Sequence, residues 1–440
     1  MKSTTVTPAA GAALQSSASD VETRAYAKVT RRLVPFLMLC YLGAYLDRVN
    51  VGFAKLQMLS DLRWSDTVYG LGAGVFFIGY FLFEVPSNMI LHRFGARRWL
   101  ARIMITWAMI SASFAFVSSP TMFYVLRFLL GVAEAGFAPG VILYITYWFP
   151  SARRAKVMGL FFMAIPLASI VGAPLSGWIM ETFAGVHGLR GWQWLFALEA
   201  LPSLVLGLAI LFYLDDSVDG AKWLTAEEKA VVQRDIAAEN SGKVAHSTLW
   251  DFLADKRLWL LTAIYFCIVM GQYGLTFWLP TIVKNAGVNG VEMVGLLAAI
   301  PYAVALVCLP LVGRNSDRTR ARRLHCGVPM LFAAAALFAL PFTDGVGTAL
   351  ALLSVAAAGA LCGTSQFWAL PTAFLGGMTA AAGIATINCI ANLAGFFSPS
   401  LVGWLNDFTG KQGAGLFLTS GMLLLGALLI ALVPKAAVDR

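Results

Sequence analysis

The stretch Thr121–Phe149 reads TMFYVLRFLLGVAEAGFAPGVILYITYWF, and its only charged residues are Arg127 and Glu134. It is long enough to cross a bilayer as a helix. An ion held at membrane depth costs several kcal/mol and is rarely kept there without a task. The first apolar stretch, 33–54, shows the same pattern with the adjacent pair Asp47 and Arg48. Outward from these two, apolar stretches fill the chain. Of its 440 residues, 59% are hydrophobic and only 12% charged. Soluble domains carry about 25% charged residues, so lipid must be the solvent here.

The expected fold class is an all-α membrane protein with twelve transmembrane helices. The spans lie near 33–54, 68–91, 98–118, 121–149, 157–179, 193–214, 257–283, 292–312, 324–342, 347–375, 380–405 and 414–434. They divide six and six. The expected organisation is a disordered tail over 1–32, a six-helix bundle over 33–214, a linker over 215–256, a second six-helix bundle over 257–434 and a tail over 435–440. The linker holds nine acids against five bases. Within it Thr225-Ala-Glu-Glu228 fits a capping box, which predicts a short amphipathic helix at the membrane surface.

Positive charge gives the orientation. With a cytoplasmic N-terminus, the cytoplasmic segments hold 25 Lys and Arg, whereas the periplasmic loops hold five: Lys55, Arg63, Arg190, Lys284 and Lys411. Both termini are therefore expected in the cytoplasm of a bacterium, with the chain crossing its inner membrane. The net charge of +9 is topological and calls for no nucleic acid. The six cysteines lie in or beside apolar spans without metal-like spacing, so no metal is expected. None of the four histidines lies mid-span, which leaves carboxylates to carry any proton.

The halves also repeat. The loop after span 2 runs from Asn88 to Arg98 and contains His92, Arg93, Gly95 and Arg97. The loop after span 8 runs from Gly313 to Arg323 with Asp317, Arg318 and Arg320 at the same place within its half. The second loop carries the G-x-x-x-D-R pattern of the major facilitator superfamily; in the first, Asn88 replaces the Gly and His92 the Asp. Two six-helix halves around a midplane site match the parallel-repeat architecture of such carriers.

Span 1 runs outward and span 4 inward. Arg48 and Arg127 each lie six residues from the outer end of their span, roughly 9 Å deep at helical rise, so their guanidinium groups could share one level. Glu134 is nearly two turns further along span 4, on the face of Arg127. Two cations with Asp47 and Glu134 suggest a basin for an organic anion and a proton, although a structural cluster bridging helices would use the same residues. Glu84 and Glu199 are weaker: Glu84 reads as a gate or helix-end partner, Glu199 as a local cap, and both fall outside the expected proton path. Neutral polar and aromatic residues complete a candidate cavity: Tyr45 and Tyr80, Gln272 and Tyr273, Ser365, Gln366 and Trp368, and Asn388 with Asn392 one turn on. Any one of these can equally be an interhelical hydrogen bond.

Tyr45-Leu-Asp-Arg-Val-Asn50 and Phe83-Glu-Val-Pro-Ser-Asn88 resemble the anion:cation symporter family of the major facilitator superfamily. So do the run from Arg127 through Gly131, Glu134 and Gly136 to Gly140, and Gly191-Trp-Gln-Trp194 with Glu199 and Pro202. That resemblance implies proton-driven symport of a small organic anion such as tartrate, a sugar acid or an aromatic acid. It implies that Asp47 and Glu134 take the proton and that Arg48 and Arg127 coordinate the anion. It places Tyr45, Tyr80, Gln272, Ser365, Trp368 and Asn392 on the cavity wall. It also implies a cytoplasmic gate of Glu84, Arg93, Arg97, Asp317 and Arg318. Ile165-Pro166 stands in mid span 5, where some sugar-acid members carry a glutamine-like residue, which favours the tartrate-like and aromatic-acid branches. No cofactor is expected beyond the proton gradient, and a monomer suffices. The alternatives are a sugar-acid permease, an exchanger or exporter of the same fold, or a membrane sensor that binds without translocating. An enzyme is not expected, since neither H-E-x-x-H nor G-x-S-x-G stands out.

Overall fold

The computed structural model describes residues 8–240, 256–371 and 377–435, and among them the regular structure is helical. The first half contains α1 (Pro8–Leu62), α2 (Asp66–Phe94), α3 (Ala96–Ser113), α4 (Pro120–Glu134), α5 (Phe137–Thr146), α6 (Ser151–Phe162), α7 (Ala164–Thr182) and α8 (Gly191–Tyr213). After α9 (Ala226–Asn240) come α10 (Lys256–Asn285), α11 (Val291–Thr319), α12 (Arg322–Ala339), α13 (Val346–Phe367), α14 (Gly377–Asn392), α15 (Ala394–Thr409) and α16 (Ala414–Ala431). Among the described residues, eleven helical segments are long and apolar enough to span a membrane, with α4–α5 counted as one and the end of α6 counted with α7. The expected span 380–405 is broken at Leu393 into α14 and α15, each 16 residues long among the described residues, which is below spanning length. Large apolar side chains such as Phe212, Phe116 and Phe408 point outward at 87%, 73% and 72% exposure, as a lipid-facing surface requires.

The packing repeats across the halves. In the first, α2 packs on α4, α3 on α8 and α1 on α8; in the second, α11 packs on α13, α12 on α16 and α10 on α16. The seams between halves are α2 with α15, α7 with α11, and α1 with α10. Small residues set the closest approaches. Gly70 and Gly403 bring the backbones of α2 and α15 together, where a Cβ would run into Pro399 and Asp66 carbonyls.

Polar contacts between the halves cluster at the face away from the termini. Asp407 on α15 accepts from the backbone N–H of Asp66 and Thr67 at 3.3 and 2.7 Å, so one half caps the N-terminus of a helix in the other. Asn406 donates to Asp66 at 3.4 Å, and Lys284 to the Leu56 carbonyl at 3.2 Å. Lys55, expected in a loop, sits inside α1, which continues to Leu62; it is buried against Trp278 and pairs with Asp66 at 3.1 Å.

At the opposite face the stretch expected as a tail is helical from Pro8 onward, continuous with α1. Ala25, Tyr26, Val29 and Leu33 form a buried stripe on it, which gives the helix an apolar seam to pack. Helix α9 docks there through Lys28–Glu228 at 2.6 Å and through the Tyr26 hydroxyl, which donates to Asp235 at 3.1 Å. Both bonds of the Thr225–Glu228 capping box form. Residues 1–7, 241–255 and 436–440 of the expected tails and linker lie outside the described residues.

Candidate functional site

The sequence Glu134-Ala-Gly136 ends α4 in mid-span. Gly136 takes φ +86°, a left-handed conformation that suits glycine, and a Cβ there would strike Ser87. Glu134 is therefore the last residue of α4, at the negative end of a helix dipole. That end disfavours a second negative charge, and the carboxylate is 3% exposed, so it needs a cation. Arg48 of α1 supplies it: Nη2 pairs with Glu134 Oε1 in a short buried ion pair. The guanidinium is ringed by aromatics, with Phe76, Tyr80 and Tyr45 centroids at 5.2, 5.4 and 5.9 Å. Nη1 reaches the Tyr273 hydroxyl at 3.4 Å, a long bond that crosses from α1 to α10 in the other half. Nε is buried without an acceptor.

Close packing of α2 on α4 holds this geometry. Gly131 lies against the backbone of Phe76 and Tyr80, and Gly79 against Phe128 and Val132. Arg127 also turns toward α2. It is 1% exposed and donates from Nε to the Gly72 carbonyl and from Nη2 to the Ala73 carbonyl, each at 3.2 Å. Its charge remains near the cluster, while two of its N–H donors are spent on backbone.

Asp47 faces away from Arg48, into a polar pocket between α1, α3 and α8. It accepts from Trp107 Nε1 at 3.1 Å, Ser111 Oγ at 2.7 Å and Ser203 Oγ at 2.6 Å. Those three donors satisfy both oxygens of the buried carboxylate. Glu84 is buried with one oxygen unpartnered.

The structure thus brings together Tyr45, Arg48, Tyr80, Glu134 and Tyr273. Gln272 instead accepts from Thr364 at 3.0 Å within the second half. Gln366 lies against Gly313, Ser365 is exposed, and Trp368 stacks edge-on with Tyr265 at 4.7 Å. Asn388 and Asn392 are partly exposed on α14. Among the gate residues, Arg97 donates its backbone N–H to Asp216 at 2.9 Å and pairs with it at 3.6 Å, while Arg93, Asp317 and Arg318 are exposed. A cavity of about 180 Å³ lies elsewhere, near the inter-half latch, among Trp278, Asn285, Asn406 and Gln412. The residues that sequence reasoning missed are Phe76 beside Arg48 and the Trp107, Ser111 and Ser203 donors to Asp47. Trp107 and Ser111, one turn apart in an apolar span, were the available signal.

Two bundles with repeated packing around a buried charge pair are the architecture of a carrier, and residues 37–399 match the Major Facilitator Superfamily. The chain belongs to that superfamily. It is 47% identical to "Putative metabolite transport protein NicT" of Pseudomonas putida, over 98% of this chain and 100% of that protein. It is 48% identical to a "Putative tartrate transporter" of Agrobacterium vitis, over 96% and 95%. Its fold matches a crystal structure of a bacterial homolog of the human lysosomal transporter Spinster, with TM-score 0.77 at 17% identity, over 93% and 98% of the two chains. This major facilitator is a multi-pass membrane transporter and not an enzyme.

Proposed function

We propose that the protein is a proton-coupled symporter that imports a small organic carboxylate, tartrate-like or aromatic, across a bacterial cytoplasmic membrane. In this reading both termini are cytoplasmic, the chain acts as a monomer, and bundles 33–214 and 257–434 rock about the seam while 215–256 tethers them. The observation that carries it is the buried Arg48–Glu134 pair, with Tyr273 of the other half on the same guanidinium. A proton on Glu134 cancels the charge that holds Arg48. Arg48, with Nε already lacking an acceptor, then binds the carboxylate of the solute. Loss of the proton restores the pair and displaces the solute. The guanidinium thus exchanges one carboxylate for another, which couples proton to anion in a single site. Arg127 adds positive potential, and Tyr45 and Tyr80 shape the wall. The likeness to the Agrobacterium vitis protein supports tartrate as the first solute to try.

Glu134→Gln tests this reading. The neutral side chain imitates the protonated acid, so tartrate counterflow in proteoliposomes is expected to persist while uptake driven by a pH gradient disappears. Uptake that remains fully proton-driven in that variant would sink the proposal.

A further inference from the structure

Two of the seams between the halves are built alike. In one, Gly70 of α2 lies against the Pro399 carbonyl of α15, and Gly403 of α15 against the Asp66 carbonyl of α2. In the other, Gly295 of α11 lies against the Ala173 carbonyl of α7, and Gly177 of α7 against the Val291 carbonyl of α11. Asp66 and Val291 each open their helix, and Gly70 and Gly295 are each its fifth residue. The repeat that relates the halves therefore relates these seams as well.

The match extends to charge. Four residues past Gly403, Asp407 accepts from the backbone N–H of Thr67 at 2.7 Å. Four residues past Gly177, Glu181 accepts from the backbone N–H of Glu292 at 2.8 Å. Thr67 and Glu292 are each the second residue of their helix, where an N–H has no partner within that helix. Each bundle thus contributes one carboxylate that caps a helix of the other. Neither acid suits its own helix. Asp407 lies in the last turn of α15 and Glu181 in the last turn of α7, where the helix dipole disfavours negative charge. Each meets instead the positive N-terminus of a helix in the opposite bundle.

We propose that Glu181 and Asp407 are matched gate residues, two cross-bundle helix caps that together hold shut the rim away from the termini. The two contacts lie on separate seams, so that rim opens only when both release. Glu181 is a positioning residue: it sets the balance between conformations and touches no solute. Water takes over each N–H in the open state, so every cap shifts the balance by a modest factor. The inference rests on the rocking of two bundles in the reading above, and on neither the anion nor the proton.

Distances between spin labels in the purified, ligand-free protein decide it. Arg63 with Lys411 flank the α2–α15 seam, Ala184 with Asn289 flank the α7–α11 seam, and Lys222 with Thr319 report the opposite face; all six are exposed. Glu181→Ala should raise the long-distance population about fivefold at both rim pairs, and Asp407→Ala should do the same. The double variant should raise it about 25-fold, because both caps oppose one motion. Lys222 and Thr319 should approach in step. Glu181→Gln keeps an acceptor without the charge and should fall between wild type and Glu181→Ala. Glu181→Lys sets a cation against a helix N-terminus and should open the rim further than Glu181→Ala. A lower melting temperature with unchanged distances would make Glu181 a local cap and overturn the proposal. So would a double variant no more open than either single one. Rim pairs that part while Lys222–Thr319 stays fixed would support the caps and contradict the rocking.

Discussion

Helices α1–α8 bury Asp47, Arg48, Arg127, Glu134 and Glu199 at membrane depth; in α10–α16 the buried polar side chains, among the described residues, are hydroxyls and amides. The two halves share a packing pattern yet divide the labour. The first holds charge that can change, and the second offers a neutral wall that meets it through Tyr273. A solute that binds Arg48 therefore acts on one half and is felt by the other. A charged side chain also crosses between the halves at the rim, where Asp407 caps α2. That contact closes a face without entering the site.

Removing the cation from the charged half should have the largest effect. Arg48→Ala leaves Glu134 buried without its partner, which costs about 3–5 kcal/mol in proteins generally. We expect a large fall in the melting temperature at neutral pH that shrinks on acidification, as Glu134 takes up a proton. Adding Glu134→Gln should restore melting but not uptake; a double variant as unstable as the single would break the charge-pair account.

Next comes Arg127. Its loss removes the charged second donor from the Gly72 and Ala73 carbonyls of α2, a cost of about 1–3 kcal/mol. Arg127→Gln should lower the melting temperature together with transport, and Arg127→Lys should recover part of both. Unchanged melting with transport lost would move Arg127 from support to anion contact.

The neutral half is probed through Asp407→Ala. Losing a helix cap costs about 1 kcal/mol, enough to move a two-state equilibrium roughly fivefold. Spin labels at Arg63 and Lys411, both exposed, should report a longer-distance population in the variant. An unaltered distribution would show that apolar packing alone closes this rim.

The smallest effect belongs to the docking of α9. Burial works against charge on Glu228, yet the Lys28 ammonium and the Thr225 donors hold its carboxyl below the usual range. A depressed carboxyl stabilises docking above the ordinary carboxylate range and loses that contribution as pH falls through its lowered value. The protection of α9 amides against hydrogen exchange, relative to the intrinsic rate at each pH, should fall in acid, and Glu228→Gln should flatten that profile.

Much of this was legible from residue order. Apolar lengths gave the helices, and the matched loops at Asn88–Arg98 and Gly313–Arg323 gave the repeat. Glu134 stands out because no cation lies within one turn of it on its own helix. Its partner was not legible, since Arg48 and Arg127 were placed at one level and only packing chooses between them. Gly72, Gly79 and Gly131 let α2 and α4 approach so closely that Arg127 meets helix backbone, which leaves Glu134 to Arg48. Asp47 was grouped with Arg48 by adjacency, but neighbours on a helix point about 100° apart, and Asp47 turns to α3 and α8. The burial of Lys55 was hidden because its pocket is built from Trp278 and Asp66, distant in the chain.

The central claim is that anion and proton arrive at one guanidinium together. Calorimetry tests it most directly: titrate the carboxylate chosen by a thermal-shift screen into purified protein at neutral pH, in buffers of differing ionisation enthalpy, and count protons. The account predicts uptake of about one proton per anion in the wild type and none in Glu134→Gln, with binding retained, as a single linked site requires. Binding without proton uptake in the wild type, or undiminished uptake in the variant, would contradict it.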